Sequence, residues 1–459
     1  MCGHLHSAVG ALYLSQESEA PMTRSVDESI RLITDTFVPR ISNQAAEDRA
    51  RLFSLEGIIA HPTLSDVPFD AGGCWAVALP RTHGRYLHGF LFLADWNGTI
   101  LEHVEDREDA HRAALDLLLS WYAKNKTAPG SCEMSFHDET TAQRSLQIAR
   151  LLDNYPGTLP QEALSDIGEM VRLHLSLLSS STFYAGNNNH GMFQDIALLR
   201  LATSRMGQEL TNDERRTELR MLASRRLEQY FTSSFTDDGV HVENSPGYHF
   251  MVSRYLRDLL PVVDLLNPSI SSKLRNIYSS AERYATHIIM PDGYLPPIGD
   301  TKHERVRDIS HRTTFGSDEF IYSVFQGRKG TSPGENSAIF PSAGYALHRS
   351  QWDDAKSDWL LFKAGYHSNY HHHADDLSLL VHSGGSLVLG ESGPYGYDYS
   401  NPLTTYAFSQ FAHNVITVDG LSQPRSQPTP GGIDFIDHAQ GSSNVFDVEG
   451  VNRRSKNWS

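Results

Sequence analysis

Apolar residues recur at helical spacing from residue 25 to residue 335 and at strand spacing after it. Over residues 109–122, Ala113, Leu117, Leu118 and Trp121 fall on one face, which predicts an amphipathic helix. The same reasoning predicts helices over 27–37, 140–152, 162–178, 192–205, 212–231, 248–266 and 270–289. Thr211-Asn-Asp-Glu214 has the spacing of a capping box, and Pro156, Pro261, Pro268 and Pro291 are expected to break or bend the pattern. Helices of moderate length with short connections imply helical hairpins packed side by side. Periodicity alone leaves bundle, solenoid and toroid open.

Near residue 340 the period changes. Residues 344–349 and Trp359–Lys363 read as strands, and 377–381 with Ser386–Leu389 as a hairpin turning at Gly384-Gly385. Residues 415–418 read as another strand. Helices followed by strands imply two segregated parts, helical over 25–335 and β over 336–459. Residues 1–24 form a segment of unassigned role, and 300–340 look like a connector.

Composition narrows the class. A chain of 459 residues suits two or three domains, and 39% hydrophobic with 20% charged residues describes a foldable protein. The net charge of −16 argues against nucleic acid as a partner. An anionic substrate would need a locally basic cleft on this acidic body. Cys2, Cys74 and Cys132 are odd in number and far apart, so no disulfide framework follows. No run has the length of a transmembrane helix. Residues 7–14 are mildly apolar without a preceding basic residue, a poor signal peptide, and Met22 is a possible alternative start.

Candidate chemistry concentrates in residues 370–420. His373, Glu391 and His413 each sit at or just beyond the end of a predicted strand. Two imidazoles and a carboxylate suit zinc first, then other first-row divalent metals, with a water or further side chain completing the set. The plainer alternative is a His-rich loop that hydrogen-bonds its neighbours. Upstream, Gly186-Asn-Asn-Asn-His-Gly191 precedes an apolar helix and reads locally as an N-cap loop. In Asp238-Gly-Val-His-Val-Glu243-Asn-Ser-Pro-Gly-Tyr-His249, Pro246 suits a first helical turn, which places Tyr248 and His249 at the start of a helix. A tyrosine there, taken alone, is more often a packing residue.

Taken in order, these motifs are more specific. His371-x-His373-Ala-Asp375-x-Leu-Ser378, Glu391-x-Gly393, Tyr395-x-Tyr-Asp398 and Ala412-His-Asn414, after Asn-Asn-His-Gly and Glu-x-Ser-Pro-x-Tyr-His, resemble heparinase II/III-like polysaccharide lyases. That family includes heparin/heparan lyases and related alginate lyases. The resemblance covers roughly residues 130–455 and implies an incomplete (α/α) toroid followed by an antiparallel β-sandwich. It also implies a C-terminally short sandwich, because the family's continues beyond this length. Carried over, Asn189, His190, Tyr248 and His371 are catalytic; Glu243, Arg144, Arg254 and Tyr395 contact substrate; His373, Glu391 and His413 hold a divalent metal, structural and first of all zinc. Glu391 stands where the family more often carries Asp. The implied partner is an anionic polysaccharide or oligosaccharide, and relatives are usually exported by bacteria.

The residue types suit the chemistry. Removing the C5 proton of a uronate puts charge beside an existing carboxylate, so a donor such as Asn189 with His190 or His371 must neutralise it. Tyr248 suits the acid that protonates the leaving oxygen, and also the base for one stereochemistry; His190 suits the base for the other. Positive charge from His371, Arg254 or Arg144 would lower the tyrosine pKa. Two rivals stand beside this reading: a metal-dependent glycan hydrolase using His373, Glu391 and His413, and a non-catalytic glycan-binding or polysaccharide-assembly protein.

Overall fold

The computed structural model describes residues 24–69, 74–101, 107–126, 132–440 and 446–454. The expected N-terminal segment, apart from its last residue, lies outside them. The helices are α1 (Val26–Asp35), α2 (Gln44–Glu56), α3 (Arg81–His88), α4 (Leu93–Gly98), α5 (Arg107–Asn125), α6 (Asp138–Asn154) and α7 (Leu164–Ser179). They continue as α8 (Asn189–Ala202), α9 (Arg205–Leu210), α10 (Asp213–Ser233), α11 (Pro246–Leu266), α12 (Pro268–Ile288), α13 (Asp318–Val324) and α14 (Pro402–Phe408). The strands are β1 (Ile58–Ile59), β2 (Val67–Pro68), β3 (Ser337–Phe340), β4 (Tyr345–Arg349), β5 (Trp359–Lys363), β6 (Ser378–Ser383), β7 (Ser386–Leu389), β8 (Ile433–Gln440) and β9 (Phe446–Asn452). The chain divides into two compact units, Met1–Tyr230 with Pro261–Ile270, and Phe231–Leu260 with Ser271–Ser459.

In the first unit α6 and α8 pack side by side. α8 is buried on almost every face, from Gly191 to Ala202, so its sequence reads as an apolar run without a clear stripe. Its Arg200 is 1% exposed and pairs with Asp35 of α1 at 2.9 Å and Asp153 of α6 at 2.7 Å. Those carboxylates satisfy a guanidinium that would otherwise be too costly to bury.

In the second unit β3 to β7 form one antiparallel sheet in sequence order. The two-residue period of β5 decides what each face meets. Trp359, Leu361 and Lys363 point to a fully buried face, with Leu360 and Phe362 on the other. On the buried face, Trp359 Nε1 donates to the carbonyl of His287 in α12 (3.2 Å), and the Tyr284 ring lies 5.3 Å from the rings of both Phe340 and Tyr345. The opposite face is covered by the β8–β9 hairpin through Phe362, Leu377, Ile433 and Phe435. Gly450 makes that approach possible: a Cβ there would stand 2.8 Å from Leu377 and 3.0 Å from Phe362.

Several expectations are corrected. Asn212, not Thr211, caps α10 by accepting from Arg215 N–H at 2.8 Å. α11 runs on through Pro261, whereas Pro268 falls at the expected break, where α11 has ended and α12 opens. Residues 415–418 form no strand; Val418 makes only an isolated bridge to Leu421.

At the end of β5 the Lys363 ammonium is buried and pairs with the equally buried Asp375. Burial works against the charged ammonium, but Asp375, Tyr345 and Asp376 outweigh it and raise its pKa. Replacing one partner strands the other's charge, whereas replacing both removes the desolvation cost as well. Lys363→Met is expected to lower the unfolding free energy in urea by about 3–5 kcal/mol. Adding Asp375→Leu should recover most of that loss.

Candidate active site

The first unit presents two predicted residues on the opening turn of α8. Asn188 caps the helix, accepting from Gly191 N–H at 3.1 Å, so Asn189 and His190 become its first two residues. Gly191 is obligatory because a Cβ would meet the Gly186 carbonyl at 2.0 Å. Asn189 is half-buried, and among the described residues its amide has no hydrogen-bond partner. His190 Nδ1 lies 3.1 Å from Asp138 Oδ1, and its Nε2 lies 3.5 Å from Glu139 Oε2, a carboxylate shared with Arg85. The Asp138 hydrogen bond is the main cause of a raised His190 pKa; burial opposes it and Glu139 adds to it. Burial would raise the Asp138 carboxyl, yet hydrogen bonds from His137, His190 and the Glu139 N–H hold it below its usual range.

Arg144, expected to touch substrate, does not reach solvent. It is fully buried, donating to His174 Nε2 at 2.9 Å and to the His88 carbonyl at 2.7 Å, with its guanidinium 3.7 Å from the Trp121 ring centroid. It is a core residue of the first unit, and the substrate-contact role is withdrawn.

The second unit assembles a denser cluster. α11 starts at Pro246, which puts Tyr248 in its first turn, and the Tyr248 ring stacks on His371 with centroids 3.5 Å apart at 18°. His371 itself has a left-handed backbone, φ +53°. Its segment is tied down by Asn244 Nδ2, which donates to the carbonyls of Ser368 (2.7 Å) and Tyr370 (3.0 Å). His371 Nδ1 is 2.7 Å from Asp300 Oδ2 and its Nε2 is 3.3 Å from Glu243 Oε2. Burial lowers the His371 pKa, but these two carboxylates outweigh it and leave the imidazole raised. Glu243 thus meets His371; its side chain is only 9% exposed. Arg254 is half-buried and donates to Ser310 Oγ, while Tyr395 is exposed.

The three consecutive histidines go to three environments. His372 is buried, stacks on Tyr366 and lies 3.2 Å from Asp376. Together with Asp375 these are, among the described residues, three side chains whose donor atoms lie within 4.8 Å of one another. Lys363 and Arg454 already neutralise that group. His373 turns the other way, its ring 5.3 Å from that of His413, whose Nδ1 meets the Glu391 carboxylate. Nδ1 of His373 and Nε2 of His413 are buried without a hydrogen-bond partner. Glu391 is taken up by Ser378 Oγ and by His413 Nδ1, on the other side of that ring from the orphaned Nε2. Among the described residues, then, the ligand atoms of His373, Glu391 and His413 do not converge on one point and do not fit the metal that the resemblance implies.

Asp300 completes this cluster and was not singled out in the sequence. Its Oδ1 lies 3.0 Å from His373 Nε2, while Oδ2 meets His371 and accepts from Tyr397 OH at 3.2 Å. The only signal was a Gly-Asp pair after two prolines, Pro296-Pro297-Ile298-Gly299-Asp300, running into the first residue of the stretch read as connector. Gly299 has φ +52°, and a Cβ on it would strike the His371 carbonyl at 2.4 Å.

Comparison with known proteins agrees with this architecture. The fold is α+β, an incomplete (α/α) toroid followed by an antiparallel β-sandwich, as in solved polysaccharide-lyase structures. Residues 332–433 match the family described as heparinase II/III-like, C-terminal. The heparan sulfate lyase HepC from Pedobacter heparinus superposes with a TM-score of 0.62 at 17% identity, over 86% of this chain and 64% of that one. A heparinase III structure gives 0.65 at 14% identity, over 93% and 68%. The chain therefore spans less than two thirds of the length of HepC. No curated protein sequence matches it.

The His190 environment fixes a pH window. A raised histidine contributes stability that is complete below its unfolded value, about 6.5, and is lost as pH rises through its folded value. The lowered Asp138 contributes above the ordinary carboxylate range and loses that contribution as pH falls. The stability difference between wild type and His190→Gln should be largest between about pH 4.5 and 6.5 and shrink above it. Thermal unfolding of both proteins across pH 4–9 measures this.

Proposed function

We propose that the chain is a polysaccharide lyase that cleaves a uronic-acid-containing glycan by β-elimination. The observation that carries this reading is the stacked Tyr248–His371 pair, with His371 held on both ring nitrogens by Asp300 and Glu243. Likeness to proteins titled heparan sulfate lyase and heparinase III supports an anionic, uronate-bearing substrate.

In the proposed reaction a base removes the proton at C5, the electron pair forms the C4–C5 double bond, and the C4–O4 bond breaks. An acid then protonates the departing oxygen, so no water is consumed. Tyr248 is assigned the acid role, and the base role where proton and leaving group lie on one side. His190, paired with Asp138, is the base for the opposite geometry. Asn189, with its uncommitted amide, and His371, kept cationic by its two carboxylates, neutralise the uronate carboxylate as charge develops. No step is routed through a metal, because His373, Glu391 and His413 do not converge on one point among the described residues; the His413–Glu391 contact instead ties down the neighbourhood of His373.

The test is ultraviolet absorbance of unsaturated uronate products on heparan sulfate, hyaluronan, chondroitin and alginate, with Tyr248→Phe beside wild type. Absorbance should grow on one polymer, and Tyr248→Phe should reduce its rate by about 100- to 10,000-fold. Saturated, shortened products would overturn elimination and indicate hydrolysis. Binding to these polymers without any product would indicate a glycan-binding protein.

A further inference from the structure

We infer that the loops around His371 form an aromatic platform for sugar rings, and that it takes a sparsely charged glycan, one bearing uronate carboxylates but little or no sulfate. This rests on the proposed reading of a uronate-bearing substrate. Tyr370, Tyr395, Tyr397 and Tyr399 are between 57% and 61% exposed. Exposed aromatic surface gathered in one place marks an interaction site. These rings are tied to the cluster at His371. Tyr370 directly precedes that histidine, and its carbonyl accepts from Asn244 Nδ2 at 3.0 Å. Tyr397 OH donates to Asp300 Oδ2 at 3.2 Å, the same oxygen that meets His371 Nδ1. The stretch after Glu391 lies against the Asp300 loop, where a Cβ on Gly393 would stand 3.1 Å from Pro297 and 3.2 Å from the Thr301 carbonyl. Tyr399 stacks on Phe408 with centroids 5.8 Å apart.

The charge beside the platform decides what it can hold. Residues 364–424 contain no lysine or arginine, yet they contain Asp375, Asp376, Glu391, Asp398 and Asp419. The cations that flank the stretch are already engaged. Lys363 is buried against Asp375, and the Arg425 guanidinium lies over the Phe408 ring, 4.0 Å from its centroid. On the Asp300 loop, Lys302 is exposed. A sulfate stays ionised and strongly hydrated, so drawing it out of water requires an ammonium or guanidinium to meet it. Tyrosine offers something else, a flat apolar face with a polar tip. One face of a pyranose presents C–H bonds that can lie on such a ring while the sugar hydroxyls stay in water. In the proposed reaction His371 serves the carboxylate of the reacting sugar. Further charges on each sugar would meet ring faces, hydroxyls and carboxylates, with Lys302 alone to offset them on these loops.

Calorimetric titration of the full chain tests this, in a Tyr248→Phe background so that no probe is consumed. The probes are a heparin hexasaccharide, the same hexasaccharide desulfated and N-acetylated, and hexasaccharides of hyaluronan and alginate. An unsulfated probe should bind at least about tenfold more tightly than heparin. Raising salt from about 0.05 to 0.5 M should weaken that binding by less than about threefold. Tyr395→Ala and Tyr397→Ala should each cost about 3- to 10-fold in affinity, whereas Tyr397→Phe, which keeps the ring and loses the hydroxyl, should bind like its parent. Heparin binding more tightly than its desulfated form, with a steep loss in salt, would overturn the inference, as would failure of every unsulfated probe to bind. Alanine variants that bind like the parent would overturn the platform, and so would an equal loss in Tyr397→Phe and Tyr397→Ala. Dimerisation in analytical ultracentrifugation that Tyr397→Ala abolishes would show the face covered by a second copy instead. The lyase reading is judged separately by unsaturated product from wild type. An unsulfated probe that binds but yields no product sinks that reading and leaves the platform standing. Product formed faster from heparan sulfate than from its desulfated counterpart sinks the platform and leaves the lyase.

Discussion

Burial drives an imidazole toward its neutral form, and only a carboxylate at hydrogen-bond distance reverses that. Among the described residues this constraint separates the two extremes of the histidine set. Burial pushes His174, His249, His287 and His311 down to about 3, and His88 and His241 to about 4. These rings stay neutral and serve as flat packing groups: His249 lies edge-on to Tyr284 and His174 accepts from Arg144. Among the described residues, the histidines raised above their ordinary value are His190 and His371. Each owes this to a carboxylate pair, Asp138 with Glu139 in one unit and Asp300 with Glu243 in the other.

The frame around His371 depends on a second buried charge. The segment carrying the three histidines follows β5 and precedes β6, so its position is set where those strands end. There Lys363 and Asp375 close the buried face of the sheet, while Arg454 closes over Asp376 beside His372. The motif His371-x-His373-Ala-Asp375 therefore mixes jobs residue by residue. His371 faces Tyr248, His372 and Asp375 belong to the ion-pair core, and His373 turns to His413. Short motifs of this kind combine scaffold and site because a left-handed backbone at His371 sends successive side chains in divergent directions.

Much of this was legible in the sequence. Helices α5, α6, α7, α10 and α12 follow from apolar spacing to within a few residues, and β5 was placed at its observed limits. Local rules failed where tertiary contacts chose between near-equal options. Asn212 took the cap from Thr211, and residues 415–418, apolar enough for a strand, found no partner strand beyond one bridge. The short helices α2, α3 and α4 lie in a region with too little periodic apolar sequence to place. The histidines, the tyrosine, Glu243 and Glu391 were recognisable from ordered motifs, yet Asp300 was not. Asp300 is a single residue in a loop, 71 positions before His371, and no local pattern distinguishes it from a turn aspartate. Arg144 erred the other way: its charge suggested a ligand, but its burial beneath Trp121 makes it part of the core.

The overall charge of −16 raises the question of how an acidic body would receive an anionic glycan. Arginines give little of the answer, because many are committed within the fold. Arg150 and Arg200 are held by Asp35, Arg226 by Asp195, Arg49 by Asp95. In the proposed reaction the positive charge comes instead from His190 and His371. An imidazolium bound to carboxylates is a weaker long-range attractant than a free guanidinium, since the site's net charge stays near zero or below. At contact distance it is still a directed proton donor, and it can give up or regain a proton near neutral pH where arginine cannot. Such a site trades electrostatic attraction at a distance for proton transfer at the reacting atoms. For a β-elimination that must move one proton from carbon and another onto oxygen, the second property is the one the chemistry demands.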